Sequence, residues 1–193
     1  MKKRIFDLLL AIFGLIIFGW VVVVGWFVAS LSTKSNGFFI QERIGRHAKP
    51  FRLIKLKTML VDKSGNRSSI AVTSLGSITR VGRCLRRFKI DELPQLFNVL
   101  IGDMSFVGPR PDVSGYADFL NGHDRLILEL RPGITGPASI KYKNEEEILM
   151  GQEDPVDYNN NVIWPDKVAI NLKYYHERTL KGDIKLILET IFH

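Results

Sequence analysis

The chain has 193 residues, 46% of them hydrophobic and 24% charged, enough for one compact domain plus one membrane element and too few for two full domains. Its 27 Lys and Arg outweigh 20 Asp and Glu for a net charge of +7, so anionic partners are expected: nucleic acid, phospholipid headgroups or phosphorylated small molecules. One cysteine, Cys84, excludes an intramolecular disulfide and a cysteine-based zinc site, and fits a reducing compartment.

Leu8 to Leu31 is a run of 24 residues without a charge. As a helix it would be about 36 Å long, more than the roughly 30 Å of bilayer hydrocarbon. Ala29-Ser30-Leu31-Ser32 is a poor cleavage site, so the segment reads as retained rather than as a signal peptide. Lys2, Lys3 and Arg4 precede it and Lys34, Arg43, Arg46 and Lys49 follow, leaving almost no positive-charge bias between the flanks. A re-entrant helix satisfies both flanks; a single span places one basic cluster on the unfavoured side. A bend needs a cause, and the run offers Gly14, Gly19 and Gly25 but no proline.

From Gly37 to Met59, apolar residues alternate with basic ones, predicting short extended elements or turns at headgroup level. Asp62 to Ser69 contains no apolar residue and reads as a surface loop. Between Arg80 and Lys89, helical spacing sets Arg80, Arg83 and Arg87 on one face, to meet a phosphate-bearing ligand, lipid headgroups or simply water.

Asp91 to Leu100 opens with a favourable N-cap residue and carries Pro94 in the first turn, predicting a helix that starts at Asp91. In Gly102 to Asp112, Pro109 and Pro111 restrict the backbone on both sides of Arg110. Arg131 to Pro137 reads as a Gly/Pro-rich turn, and Ile184, Ile187, Leu188, Ile191 and Phe192 mark an amphipathic C-terminal helix that serves either core packing or membrane docking.

Transfer of a phosphoryl-linked group needs a nucleophile, a divalent cation and fixed cationic groups. Asp91 suits a nucleophile or a hard oxygen ligand, and Glu92 can share a metal or handle a proton. Adjacent carboxylates in a partly apolar site would split their ionisations. Asp-Glu before Leu-Pro is equally an ordinary helix start.

Four stretches resemble the bacterial sugar transferases, the small monotopic phosphoglycosyl transferases: Lys-Arg-Ile-Phe-Asp at 3–7; Gln-Glu-Arg-Ile-Gly at 41–45 with Lys-Leu-Lys-Thr-Met at 55–59; Asp-Glu-Leu-Pro-Gln-Leu-Phe-Asn-Val-Leu at 91–100; and Gly-Asp-Met-Ser-Phe-Val-Gly-Pro-Arg-Pro at 102–111. The resemblance runs from about residue 3 to 137. It implies a mixed α/β, mostly helical fold, with a re-entrant membrane helix (1–33) and a small cytosolic catalytic domain (34–193) bearing interfacial amphipathic helices.

The implied reaction moves a phosphosugar from a UDP-sugar to undecaprenyl phosphate, releasing UMP through a covalent phospho-aspartyl sugar intermediate. It is the first membrane step of glycoconjugate assembly. By the same resemblance Asp91 is the nucleophile, Glu92 assists, both hold Mg2+, and Arg110 and Lys57 bind phosphate; Arg80 and Arg87, from their shared helical face, and Gln95 are further candidate substrate ligands. The expected setting is the bacterial inner membrane, monotopic, with the active site facing the cytoplasm. Partners are the two substrates and membrane phospholipids, not nucleic acid, and a homodimer is left open.

Two departures stand out. The family's helix usually bends at Ser-Pro, where Gly19-Trp20 stands here; and Lys141-Tyr142-Lys143 with Glu145-Glu146-Glu147 replace a tryptophan-containing pattern in a region expected to help read the donor sugar. Two other readings stay open on residues alone: a non-enzymatic, membrane-anchored basic module using Arg80, Arg83, Arg86 and Arg87, and a membrane phosphatase or phosphodiesterase that passes an aspartyl phosphate to water.

Overall fold

A computed structural model describes residues 2–60 and 78–192; the loop expected at Asp62 to Ser69 lies outside them. The described chain is mostly helical with two small sheets, and it falls into two compact units: residues 1–42 with 52–102, and residues 43–51 with 103–193.

The first unit is organised around α1 (Lys2–Thr33), a single α-helix that continues through Gly19. It is long and apolar enough to cross a membrane by length and composition. Its outward side chains, among them Leu9, Phe13, Ile16, Trp20, Val23, Phe27 and Leu31, are exposed, while Ala11, Val22 and Ala29 are buried. Two of its glycines face packed side chains. A Cβ on Gly14 would lie 3.2 Å from Leu96 Cδ1 and one on Gly25 would lie 2.6 Å from Leu56 Cδ1, whereas Gly19 faces open space.

Both ends of α1 are anchored on the same unit. Near its start, Arg4 donates to the carbonyls of Val99 and Leu100 at 2.6 and 3.0 Å, in the last turn of α3 (Gln95–Ile101), where carbonyls run short of intrahelical donors. Near its end, Ala29 joins Leu56 and Leu85 in a buried cluster flanked by Phe38, Val81 and Ile90.

Gly37 to Met59 forms a hairpin, β1 (Phe38–Ile44) with β2 (Pro50–Leu56), whose base belongs to the first unit and whose tip belongs to the second. After residue 77, α2 (Arg80–Arg87) is capped by Thr79, whose hydroxyl accepts from Gly82 N–H. Gly82 permits a close backbone approach, since a Cβ there would sit 2.0 Å from the Thr58 carbonyl oxygen. Asn98 ties α3 to β2: its amide donates to Arg52 O (2.7 Å) and its oxygen accepts from Ile54 N–H (3.1 Å), with no exposed surface left.

In the second unit, β3 (Ser105–Val107) and β4 (Gly133–Thr135) pair in parallel, Ser105 with Gly133 and Val107 with Thr135. The expected Gly/Pro turn at 131–137 thus contains a strand. Its glycines are needed because backbone meets backbone: a Cβ on Gly133 would fall 2.2 Å from Gly108 N. Short helices follow: α4 (Pro137–Lys141), α5 (Glu145–Met150) and α6 (Pro155–Tyr158). A π-helical turn at Asn159–Ile163 leads into α7 (Trp164–Glu177), and α8 (Leu180–Phe192) ends the described chain. The C-terminal helix is present as expected, with Ile184, Leu188, Ile191 and Phe192 exposed. It is held by Tyr174, whose hydroxyl donates to buried Asp183 at 2.6 Å, and by a 2.6 Å contact between the Thr135 and Thr190 hydroxyls.

Candidate functional site

Asp91 does not cap an α-helix. Lys89 takes a left-handed conformation (φ 56°), a 3-10 turn follows over Ile90–Glu92, and the α-helix begins only at Gln95. The expected helix start is displaced because Leu96 and Phe97 bond back to the carbonyls of Leu93 and Pro94, so i to i+3 bonds tighten this stretch. The turn lodges Asp91 among other groups instead of leaving it at an open helix end: the residue is 7% exposed.

Among the described residues no hydrogen bond ties up the Asp91 carboxylate, so its lone pairs remain available. Burial pushes its pKa above the ordinary carboxylate range, and the Glu92 charge adds to that, while Lys55, Arg86 and Lys89 pull the other way. Glu92, half-buried, accepts from Lys55 Nζ at 2.9 Å. Adjacent carboxylates thus sit in different settings, one ion-paired and one raised toward neutrality.

The remaining expected site residues divide. Lys57 donates to the Ser35 hydroxyl at 2.9 Å, and it is Lys55, two residues earlier, that meets Glu92. Arg80 and Arg87 occupy the ends of α2 and are exposed, with the Arg87 guanidinium 5.9 Å from the Phe88 ring centroid. The α2 arginine whose field reaches Asp91 is Arg86, which lies off the Arg80, Arg83 and Arg87 face. Gln95 is 3% exposed at the head of α3. Alternation along β2 was the available signal for Lys55, since it shares parity with Lys57; no helical-face argument selects Arg86.

Arg110 belongs to the second unit, exposed in the segment after β3. Its neighbours there are Arg43 and Asp112. Arg43 donates to Pro111 O at 3.2 Å and Ile44 N–H to Asp112 O at 2.8 Å, so the hairpin tip braces the Pro-Arg-Pro segment. Burial lifts the Asp112 carboxyl to about 6 despite the opposing charges of Lys167, Arg43 and Arg110.

As a metal donor set, Asp91 and Glu92 supply hard carboxylate oxygens, the kind of pair that holds Mg2+ when substrate phosphates and water complete an octahedron. Among the described residues no group of three or more His, Cys, Asp or Glu could hold an ion without such help.

Comparison with known proteins bears on this geometry. The chain is 34% identical to the uncharacterized sugar transferase EpsL of Bacillus subtilis (strain 168), over 98% of this chain and 85% of that protein. It is 31% identical to the UDP-glucose:undecaprenyl-phosphate glucose-1-phosphate transferase of Caulobacter vibrioides, over 99% of this chain and 68% of the relative. A relative of the same name from Escherichia coli (strain K12) is 32% identical over 98% of this chain, which spans 39% of that longer protein. The model of the bacterial sugar transferase family matches residues 1–193, and with the Asp-Glu turn and the Pro-Arg-Pro segment both in place, the chain belongs to that family.

Proposed function

We propose that this sugar transferase moves a sugar 1-phosphate from a UDP-sugar to undecaprenyl phosphate by way of Asp91. The carrying observation is the state of that side chain: buried, free of hydrogen bonds among the described residues, beside a second carboxylate, and within the field of Lys55, Arg86 and Lys89. The names of the Caulobacter and Escherichia relatives supply the two substrates.

In the first half-reaction an Asp91 oxygen attacks the β-phosphorus, the bond from that phosphorus to the bridging oxygen breaks, and UMP leaves with the electron pair. A phosphate oxygen of the polyprenyl acceptor then attacks the same phosphorus, and the Asp91 carboxylate departs unchanged. Glu92, held by Lys55, is placed to take any proton the acceptor still carries. Bound Mg2+ at Asp91 and Glu92 would supply charge neutralisation of the diphosphate. Arg110, braced by Arg43 on Pro111, serves as the phosphate ligand of its unit. Lys57, Arg80, Arg87 and Gln95 are assigned to substrate binding.

The reading includes a monotopic membrane disposition in which α1 re-enters the leaflet it left. Support comes from the basic residues at both flanks and from the attachment of both its ends to one compact unit. Membrane phospholipids cover its exposed apolar side, and the chemistry faces the cytoplasm at the bacterial inner membrane.

The test is UMP release from a panel of UDP-sugars with undecaprenyl phosphate and Mg2+. Asp91→Asn should lower turnover by on the order of a thousandfold with the fold intact. Near-parental turnover in that variant removes the nucleophile from the account.

A further inference from the structure

A groove of about 410 Å³ opens on the second unit, lined by Gly115, Tyr116, Phe119, Leu120, Asn160 and Trp164. None of these side chains is charged at neutral pH, so the groove offers nothing that selects a phosphate or diphosphate. What it offers is aromatic surface with hydrogen-bonding groups. Tyr116 and Trp164 meet edge to face, with ring centroids 5.3 Å apart, and Phe119 is 71% exposed.

The segment displaying Phe119 is stitched to itself. Asp118 accepts from the Ser114 hydroxyl and from the Gly115 and Tyr116 N–H groups (2.6, 2.8 and 3.0 Å), and Arg125 donates to Leu120 O at 3.0 Å. Gly115 adopts φ +105°, and a Cβ there would touch the Phe119 ring at 4.0 Å. A large aromatic ring held in water by a braced loop loses little entropy when a ligand covers it.

The opposite wall comes from the π-helical turn Asn159–Ile163, an arrangement that recurs at functional sites. The Asn160 carbonyl oxygen accepts from the Tyr116 hydroxyl at 3.0 Å, and the Asn159 amide donates to that hydroxyl at 3.3 Å. This leaves the Asn160 amide N–H groups as donors at the groove. Apolar ring faces beside neutral amide and hydroxyl groups match the two sides of a pyranose, with its C–H patch and hydroxyl rim. A nucleobase would favour a parallel slot, and the Tyr116–Trp164 pair at 69° does not form one.

We infer that this groove binds a neutral sugar ring, with Phe119 and Trp164 covering its C–H face and Asn160 holding a hydroxyl. Its lining residues all belong to the second unit. The sugar has two sources, the sugar of a nucleotide-activated donor or a free glycoside.

The chain has three tryptophans, and Phe at Trp20 and Trp26, both in α1, leaves Trp164 as the sole tryptophan, read by exciting beyond the tyrosine absorption band. The double variant in detergent micelles is titrated with UDP-glucose, UDP-galactose, UDP-N-acetylglucosamine and UDP-N-acetylgalactosamine, with the matching methyl glycosides, and with UDP and UMP. The expected result is a saturable Trp164 change with at least one sugar-bearing probe and none with UDP or UMP. A methyl glycoside that suffices identifies a free-sugar site, and a requirement for the UDP-linked form identifies the donor's sugar. Phe119→Ser, at an exposed position where folding is not at stake, should weaken that response about tenfold, as should Asn160→Ala. No response to any sugar, an equal response to UDP and UMP, or unchanged affinity in Phe119→Ser overturns the inference, whatever turnover the same preparations show.

Discussion

At the scale of single residues the account turns on how charge is distributed around two neighbouring carboxylates. Asp91 carries a raised pKa from burial and from Glu92, moderated first by Lys55. Because the proposed nucleophile must be ionised to attack, UMP release should rise with pH through that raised value. Lys55→Met should move this acid limb to higher pH, whereas Glu92→Gln should move the limb of its residual activity lower. A pH–rate profile of the burst phase reads both, and limbs that coincide with the parent's would show that these charges do not reach Asp91. A second titration belongs to Asp112, raised to about 6 in the folded protein. Its unfolded value is about 4, so between these the native state binds more protons and stability falls as pH rises. Denaturation midpoints should therefore drop from about pH 4 to about pH 6, flattening in Asp112→Asn. The Asp-Glu pair and Arg110 stand out in the sequence because their flanking prolines and apolar run are local signals. Alternation gives Lys55 and Lys57 the same parity without choosing between them, and Arg86 was hidden, since which of several cations faces a carboxylate depends on packing of β2 and α2.

Among the elements, α1 was legible in position and composition, but the part played by its glycines was not. Gly14 and Gly25 permit side chains of α3 and β2 to approach, and the helix runs on through Gly19. Contacts with partners distant in sequence leave no trace in a hydropathy window. Labelling decides the membrane disposition: with Cys84, which is exposed, replaced by Ser, cysteines at Lys2 and Lys34 should both react from the same face of sealed vesicles. Reaction from opposite faces would make α1 a span. The helix α2 yields a stability test. Gly82→Ala sets a methyl 2.0 Å from the Thr58 carbonyl oxygen, and overpacking against backbone should cost about 2 kcal/mol or more in urea unfolding. A loss under ~0.5 kcal/mol would mean the two backbones separate freely. The strands β3 and β4 were missed because three-residue strands are too short for alternation to be read.

For the whole molecule, composition anticipated an anchored basic protein with an anionic substrate, and family membership accords with it. Its compact units are not contiguous in sequence: residues 43–51 join 103–193, away from the stretches on either side. No linker composition marks such a division, because it arises when a hairpin tip packs with later chain. Asp91 and Glu92 lie in one unit and Arg110 in the other, so functional tests use the intact chain. The most direct is intact-protein mass spectrometry after incubation with UDP-sugars and Mg2+. The account predicts a mass gain of one sugar phosphate, mapped to the peptide containing Asp91, discharged by undecaprenyl phosphate and absent from Asp91→Asn. Turnover with an unmodified Asp91 throughout, or an adduct that persists in Asp91→Asn, would contradict it.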